Sequence, residues 1–547
     1  MSTVDIKRHI LDQLSQAVSS LGLEAPSLKL DQSKRPELGD LSSGVALSLT
    51  KQAQKPPMEL AKVIQDSLNL DSGICAETTV SKPGFLNFRL SPDYLRHQLE
   101  VISEEGVEYG KTHLGKGLKA QVEFVSANPT GPLTVGHGRQ AVLGDVIARI
   151  LEWHGYEVER EYYYNDAGRQ MRLLGESVRA RYLEISGDEG EFPEGGYEGE
   201  YIREIARGIH EKAGEEITEN SEVSEFRKFA EEVIFTEIKS TLESLHIHFD
   251  QFVNEQRFYD DGSIEAVVKL LREKNLAYDK DGAVWLRTTE FGKEEDTVLI
   301  KGTKEPTYRL PDIAYHRDKL NRGYNLIVDI FGADHKDTYP DVLSALNALG
   351  YETSSIHVLI HQFVSLLRDG QKVKMSTRKA TFVTLDELVE MVGADVVRYF
   401  FIMRNRQSHL NFDIGLAEKE SDENPVYYLQ YAHARICNIL KHAKETGSGS
   451  PETADLLLIR EEAELSLMKT LIRSPEVMMT AHESLEPQTV ANYLQALATE
   501  FHRFYTEHRV VTDEGELTSA RLFLVSAVRT VLASGLAVLG ISQPEKM

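Results

Sequence analysis

Apolar residues recur with different periods in different parts of the chain, and these changes predict its domains. In residues 1 to about 105, helical spacing at Ile6, Ile10, Leu14 and Val18 is followed by further helical and short extended runs. From about 110 to 370, strand-length apolar runs alternate with helical segments, as in a doubly wound parallel sheet. From residue 425 onward the pattern is mostly helical, which favours a bundle.

The same periodicity predicts individual elements. We expect helices at 45–49, 60–68 and 338–349, strands at 83–88, 156–164 and 326–331, and a further apolar run at 357–364. The stretch from about 170 to 295 is charged and punctuated by glycine, and helical spacing such as Val233, Ile234, Ile238 and Leu242 fills much of it. It is therefore predicted to be an insertion between two halves of the sheet.

A strand, a tight loop and a helix start follow one another closely between residues 122 and 139. The apolar run Val122 to Val125 gives way to a loop rich in proline and glycine, and Thr134 precedes a segment with helical spacing. The first N–H groups of such a helix point outward and its dipole favours anions. Gly136 allows a ligand close to the backbone, and His137 adds a donor, so the motif predicts a site for ATP phosphates.

A second motif is basic. Lys372, Lys374, Arg378 and Lys379 cluster after the apolar run at 357–367 and a turn at 369–370. Nucleotidyl transfer builds negative charge on the departing phosphates, and cations on a loop beside them stabilise that charge. This loop is therefore a second candidate for the phosphate site.

Both motifs resemble the signatures of class I aminoacyl-tRNA synthetases. The stretch Thr134 to His137 resembles His-Ile-Gly-His with Thr134 in place of the first histidine, and the preceding Ser126 to Thr130 narrows the resemblance to arginyl-tRNA synthetases. The stretch Lys374 to Arg378 resembles Lys-Met-Ser-Lys-Ser with Thr377 in place of the second lysine. Some relatives without that lysine carry another before the first signature, where this chain has Gly131. Whether Lys374 or Arg378 supplies the missing charge stays open.

The resemblance covers nearly the whole chain and implies its architecture. We expect a Rossmann-type α/β catalytic domain with a doubly wound parallel sheet at 106–370, and a connecting segment with the second motif at 371–424. An N-terminal α+β domain at 1–105, including the Gly39–Asp40 turn, is expected to contact tRNA. A C-terminal all-α bundle at 425–547 is expected to bind the anticodon.

The resemblance also implies the residues of the catalytic site. It assigns catalytic roles to His137, Lys374 and Arg378. The implied ATP contacts are Thr134, Gly136, His137, Gly332, His335, Lys374 and Ser376. The implied arginine contacts are Asn128, Glu255, Tyr308, Asp312 and Asp334. The set is physically sensible because paired carboxylates accept the planar fork of a guanidinium. A lysine would leave buried acceptors unfilled, and glutamine would leave charges unpaired.

The C-terminal resemblance rests on Pro425 to Ile436, which is similar to the start of the family's anticodon-binding bundle, and on the final residues 541–547. It implies tRNA contacts at Tyr431, Arg435 and Met547. Further candidates for stacking or pairing with splayed bases are Tyr493, Phe501, Arg503, Tyr505 and Arg509. Most aromatic residues at helical spacing belong to a core, so only some of these are expected to touch RNA.

Composition sets limits on these interpretations. The net charge of −25 argues against nucleic-acid binding, although a local basic face is compatible with an acidic whole. The two cysteines, Cys75 and Cys437, exclude a disulfide framework and a four-cysteine zinc site, and are expected to be buried thiols. The sequence has no uninterrupted run of about 18 apolar residues, and residues 1–10 lack an apolar signal core, so no membrane span is expected. A cytoplasmic monomer is expected.

The predicted function is that of an arginyl-tRNA synthetase, which makes arginyl-adenylate from arginine and ATP and transfers the arginyl group to tRNA(Arg). Mg²⁺ is expected to arrive with ATP, and no zinc is expected. Two alternatives stay open. A small nucleotidyltransferase would share the phosphate signature without the helical C-terminal region, and a non-catalytic tRNA-binding relative would fit the changes at Thr134 and Thr377.

Overall fold

The computed structural model describes residues 3–24, 27–33, 35, 37–166, 168–188, 190–212, 217–368, 370–373 and 383–547. The first region is an α+β unit, as predicted. Its antiparallel sheet has four strands, Asp31–Gln32, Leu41–Ser43, Phe85–Leu90 and Cys75–Ser81 in spatial order. Helices Thr3–Ser20, Val45–Ala53, Pro57–Asp66 and Pro92–Glu105 accompany it. Ser91 caps the last of these because its side chain accepts a hydrogen bond from the Tyr94 N–H at 3.1 Å.

The central sheet is fully parallel and has five strands. Their spatial order is Ile356–His361, Leu326–Gly332, Lys119–Glu123, Glu157–Tyr164 and Gln251–Asn254. Counted along the chain, the first strand of this sheet, Lys119–Glu123, lies beside its fourth, Leu326–Gly332, and the direction of winding reverses between them. Open α/β sheets bind ligands at the carboxyl ends of the strands that flank such a switch point. The predicted Rossmann-type sheet is confirmed.

The helix that follows the first strand, Val135–Trp153, is almost completely buried. It will be called the signature helix. Gly144 lets it lie against the sheet, since a Cβ atom there would stand 2.1 Å from Cγ of Phe124. This close packing fixes the start of the helix relative to the strand ends.

The predicted insertion differs from expectation in two respects. The third strand of the parallel sheet, Gln251–Asn254, lies inside the range assigned to it, and a three-stranded antiparallel sheet follows, with strands Ala277–Lys280, Ala283–Leu286 and Thr297–Ile300. Four-residue strands are too short to give a clear alternating pattern. The helices of the segment are Gly168–Ser186, Glu200–Lys212, Val223–Ser244, Gln256–Asp260 and Ser263–Glu273.

The chain returns to the sheet through helix Arg309–Asn321, which will be called the pocket helix. Helix Tyr339–Leu349 then connects the last two parallel strands. A small sheet of Gln371–Lys372, Val364–Arg368 and Leu410–Asp413 follows, with helices Leu385–Val392, Ala394–Ile402 and Ile414–Ala417.

The C-terminal region is a helix bundle, as predicted. Its helices are Pro425–Thr446, Glu462–Leu471, Ser474–Ser484, Gln488–Glu507 and Gly515–Val538. The last helix is long and apolar enough to cross a membrane by length and composition, contrary to the expectation that no such stretch exists. It is a core helix of the bundle, with 61% of its apolar window buried inside the protein.

A fully buried arginine joins three parts of the molecule. Arg398 donates hydrogen bonds to Asp145 Oδ2 of the signature helix at 2.5 Å, to Leu245 O at 2.8 Å and to Leu539 O at 3.0 Å. Leu245 directly follows an insertion helix, and Leu539 directly follows the last helix of the bundle. The bundle is thereby fixed directly against the helix that begins at the candidate site.

Candidate active site

The loop after the first strand is held in an unusual conformation. Val125 and Ser126 both have positive φ, 66° and 44°, which is rare for residues other than glycine. Ser126 Oγ donates to Glu123 at 2.8 Å and accepts from the Tyr163 N–H at 3.1 Å. The Tyr162 hydroxyl donates to Ala127 O at 2.8 Å. These bonds stabilise the strained turn and fix the loop at the switch point.

His137 lies in the first turn of the signature helix and is half-buried. Its Nδ1 accepts a hydrogen bond from the Thr134 N–H at 3.2 Å, so the proton of the neutral ring lies on Nε2. Burial lowers the pKa of His137 to about 4, against the opposing effect of Asp334. The side chain is therefore a neutral donor at physiological pH. Thr134, in place of the first signature histidine, is the N-cap residue of the helix.

Asn128 and Glu255 are joined by a chain of hydrogen bonds at the edge of the sheet. Glu255, only 7% exposed, follows the third parallel strand and accepts from the Tyr163 hydroxyl at 2.9 Å and from Asn165 Nδ2 at 2.6 Å. The Asn165 N–H donates to Asn128 Oδ1 at 3.0 Å. Sequence reasoning missed Tyr163 and Asn165, although both stand at the carboxyl end of a predicted strand.

Asp312 brings a second carboxylate to Glu255. It lies in the first turn of the pocket helix and is partly buried. Loss of water raises the pKa of Glu255 to about 7, with a further contribution from the charge of Asp312. Burial also raises the pKa of Asp312 to about 6, because it outweighs the opposing effects of His316 and other cations. The structure thus places two predicted arginine contacts close enough for their charges to interact, an arrangement that suits a cation.

A row of buried charges on the parallel sheet binds the pocket helix. Glu123, Glu161 and Asp329 stand in register on three neighbouring strands and therefore share one face of the sheet. The fully buried Lys319, on the pocket helix, binds Asp329 at 2.6 Å and also binds Glu123. The Tyr315 hydroxyl, on the same helix, donates to Glu161 at 2.5 Å. The row therefore anchors the helix that carries Asp312.

His316 connects this row to the pocket. Its Nε2 lies 3.1 Å from Asp329 Oδ2 and its Nδ1 lies 2.8 Å from the backbone oxygen of Asp312. Although burial lowers the pKa of His316, the charge and hydrogen bond of Asp329 help to raise it above its usual value. Both ring nitrogens lie within hydrogen-bond distance of an acceptor, so the ring fixes the first turn of the pocket helix.

The remaining predicted contacts are more open. Tyr308, at the start of the pocket helix, is 72% exposed. Asp334 and His335 follow Gly332 at the end of the fourth strand, and both are exposed. His335 Nε2 lies 3.7 Å from Asp334 Oδ2. The charge of Asp334 opposes the lowering of the His137 pKa, whereas the charges of Asp312 and Asp166 help to raise the pKa of Glu255. Lys374, Ser376 and Arg378 lie outside the described residues.

A separate cavity of about 660 Å³ lies in the bundle and is lined by all three predicted tRNA contacts, Tyr431, Arg435 and Met547. Tyr505 and Arg509 also line it, with the Arg435 guanidinium 4.3 Å from the Tyr505 ring centre. By contrast, Tyr493 and Phe501 are buried in the core. The cavity combines exposed aromatic faces with cations, as sites for single-stranded bases do.

Three family models match the chain. They are the arginyl tRNA synthetase N terminal domain at 5–90, the class I tRNA synthetase (R) catalytic domain at 99–395 and the DALR anticodon binding domain at 429–547. The arginine–tRNA ligase of Salinibacter ruber is 48% identical, with 99% of this chain and all of that protein covered. The chain belongs to the arginyl-tRNA synthetase family. The arginine–tRNA ligase of Desulfotalea psychrophila is 49% identical to this chain, with 93% of each chain covered.

The fold of this arginyl-tRNA synthetase is also found in a solved relative. The Thermus thermophilus arginyl-tRNA synthetase superposes with a TM-score of 0.77 at 24% identity, covering 99% of this chain and all of that one. As an arginine–tRNA ligase of class I, the enzyme activates arginine with ATP and attaches it to tRNA(Arg). Family membership removes the small nucleotidyltransferase and the non-catalytic relative as alternatives.

Proposed function

We propose that both reactions occur at the carboxyl edge of the parallel sheet, with arginine and ATP on opposite sides of the switch point. The observation that carries this proposal is the proximity of the Glu255 and Asp312 carboxylates, whose charges interact. The loop at 124–134 leads from the same sheet to the start of the signature helix. The two carboxylates grip the guanidinium, with Asn128 and Tyr308 along the aliphatic part. Asp334 stands at the border with the nucleotide and faces the α-ammonium group.

In the first step, an arginine carboxylate oxygen attacks the α-phosphorus of ATP and pyrophosphate leaves. His137 donates from Nε2 to the phosphate on which charge develops, and the helix start adds backbone donors. Thr134, Gly136, Gly332 and His335 surround the nucleotide. Lys374, Ser376 and Arg378, from the second motif, hold the departing pyrophosphate. Mg²⁺ carried with ATP would neutralise phosphate charge, and phosphates and water would mainly hold it.

In the second step, a hydroxyl of the terminal adenosine of tRNA attacks the arginyl carbonyl and AMP leaves. The enzyme contributes position and electrostatic stabilisation without a covalent intermediate. Tyr431, Arg435 and Met547 bind a splayed base of the anticodon loop in the bundle cavity, while the N-terminal region touches the tRNA body. We propose that the enzyme acts as a monomer in the cytoplasm, with domain boundaries near residues 105, 370 and 424.

The test of the arginine pocket is ATP–pyrophosphate exchange in the presence of tRNA(Arg), with arginine compared to citrulline. Citrulline has the same shape but a neutral end group, so it leaves the charges of the two carboxylates without a cation. We expect kcat/KM for citrulline to be lower by at least about 10³-fold, because a pocket built for paired charges rejects a neutral analogue strongly. Discrimination below about tenfold would refute the carboxylate pocket while leaving the enzyme's class unchanged.

A further inference from the structure

His361 is a buried imidazole that the mechanism above does not use. It ends the last parallel strand and is 6% exposed. In the sheet it pairs in register with Gly332, the residue that precedes Asp334 and His335. It therefore stands at the carboxyl edge of the sheet, beside the predicted nucleotide contacts.

The hydrogen bonds around His361 define its tautomer. Its Nδ1 lies 3.2 Å from the backbone oxygen of Gln362. Because a carbonyl only accepts, the proton of the neutral ring lies on Nδ1. Arg139, fully buried on the signature helix, donates to the same carbonyl at 2.7 Å and also to Asn405 O and Ser408 O. The carbonyl, and with it the ring, is thus fixed against the signature helix.

The other ring nitrogen is left as a free acceptor. Nε2 is buried and has no hydrogen-bond partner within the part of the chain that the structure describes. Burial lowers the pKa of His361 to about 4, so the ring is neutral at physiological pH and Nε2 carries a lone pair. A buried acceptor without a donor is unfavourable, and a ligand that brings a donor removes this cost.

The surroundings of His361 belong to the nucleotide side of the site. Asp334 and His137 contribute to the pKa of His361. The groups that contribute to the pKa of Glu255 are different: Asp312, Asp166, Tyr163 and Asn165. The phosphate oxygens of ATP at neutral pH only accept hydrogen bonds and would repel the Nε2 lone pair. The ribose hydroxyls and the adenine amino group are the donors that ATP offers.

We propose that His361 Nε2 accepts a hydrogen bond from the adenosine half of ATP, from a ribose hydroxyl or from the adenine amino group. This inference rests on the proposed placement of ATP. It makes His361 a nucleotide-contacting residue in addition to those that carry the two signatures. Its role is to orient the nucleoside while the signature helix binds the phosphates.

Two substitutions separate the halves of the ring. In H361N the amide nitrogen takes the place of Nδ1 and keeps the bond to Gln362, but the Nε2 acceptor is lost. In H361Q the amide oxygen reaches the place of Nε2 and restores the acceptor. We expect ATP titrated by calorimetry to bind H361N about tenfold more weakly, or about 1.4 kcal/mol. H361Q should stay within threefold of wild type, and KM for arginine should be unchanged in both.

Nucleotide analogues identify the donor. Three analogues are compared: 2′-deoxyATP, 3′-deoxyATP and purine riboside triphosphate. One of them should bind wild type about tenfold more weakly than ATP does. The same analogue should bind H361N no more weakly than ATP binds H361N. Thermal unfolding midpoints show whether each variant is folded. If H361N is unstable, H361L replaces it, because leucine fills the space without polar atoms. Equal ATP affinity of H361N and wild type, loss confined to arginine, or unchanged analogue discrimination would overturn the proposal. Failure of the ATP placement itself would show separately, as an H137A variant with unchanged ATP use.

Discussion

The Asp312→Asn substitution should change activity and stability in opposite directions. The substitution keeps the shape of the side chain and leaves its backbone bond to His316 intact. It removes one of the two negative charges proposed to face the guanidinium. Loss of one partner of a buried, hydrogen-bonded charge pair costs about 2–5 kcal/mol. A central value of about 3 kcal/mol lowers kcat/KM for arginine about 150-fold.

The unliganded protein should gain stability from the same change. The pKa of Asp312 rises from 3.8 to about 6 on folding, so its ionised form opposes folding above pH 6, and the effect vanishes below pH 3.8. Two pKa units correspond to about 3 kcal/mol, and partial exposure reduces this to about 1–2 kcal/mol. Without arginine, D312N should therefore unfold at a higher temperature than wild type at pH 7.5, with a smaller difference at pH 5.

Steady-state ATP–pyrophosphate exchange and differential scanning calorimetry measure the two effects. Asp260→Asn is the matched control, because Asp260 is exposed and lies outside the proposed pocket. KM for ATP should change less than threefold in D312N. Equal losses for arginine and ATP, or a D312N protein less stable than wild type at pH 7.5, would refute the reasoning.

Three further predictions address other parts of the site. His137→Ala should slow adenylate formation in single-turnover assays by about 100-fold with unchanged tRNA affinity, and intact adenylation would remove His137 from the site. Arginine affinity should rise with pH between about 5.5 and 7.5, because the pKa values of Glu255 and Asp312 are near 7 and 6 and the bound cation displaces their protons. Calorimetry in two buffers at pH 6.5 should detect this proton release. The absence of proton release would contradict the prediction. Tyr431→Ala should weaken tRNA binding about tenfold through lost stacking, with ATP affinity without tRNA unchanged; equal losses for both ligands would point to misfolding.

Contiguous motifs allowed the sequence to predict the strand, loop and helix that carry His137. The strand, loop and helix around His137 are neighbours in the chain, so local periodicity and the signature together located them. The arginine half is different, because Glu255 and Asp312 are 57 residues apart and periodicity cannot show that they meet. There the resemblance supplied the pairing. Tyr163 and Asn165 were missed because nothing in their own stretch indicates that Glu255 lies opposite.

Two other features were hidden for physical reasons. The antiparallel strands between 277 and 300 are only four residues long and are separated by charged residues, so they give no clear alternation. His361 was counted within an apolar run, and only the sheet register shows that it reaches the carboxyl edge. The buried row of Glu123, Glu161 and Asp329 did leave a signal, since each acid interrupts or adjoins an apolar run. Its partner Lys319 could not be identified without the packing of the pocket helix.

A crystal structure with a non-hydrolysable arginyl-adenylate analogue, such as the sulfamoyl ester, tests the central claim most directly. We expect the guanidinium to lie about 3 Å from carboxylate oxygens of both Glu255 and Asp312. The sulfamoyl group should lie within hydrogen-bond reach of His137 Nε2. A guanidinium that faces solvent, or a sulfamoyl group remote from the signature helix, would contradict the account.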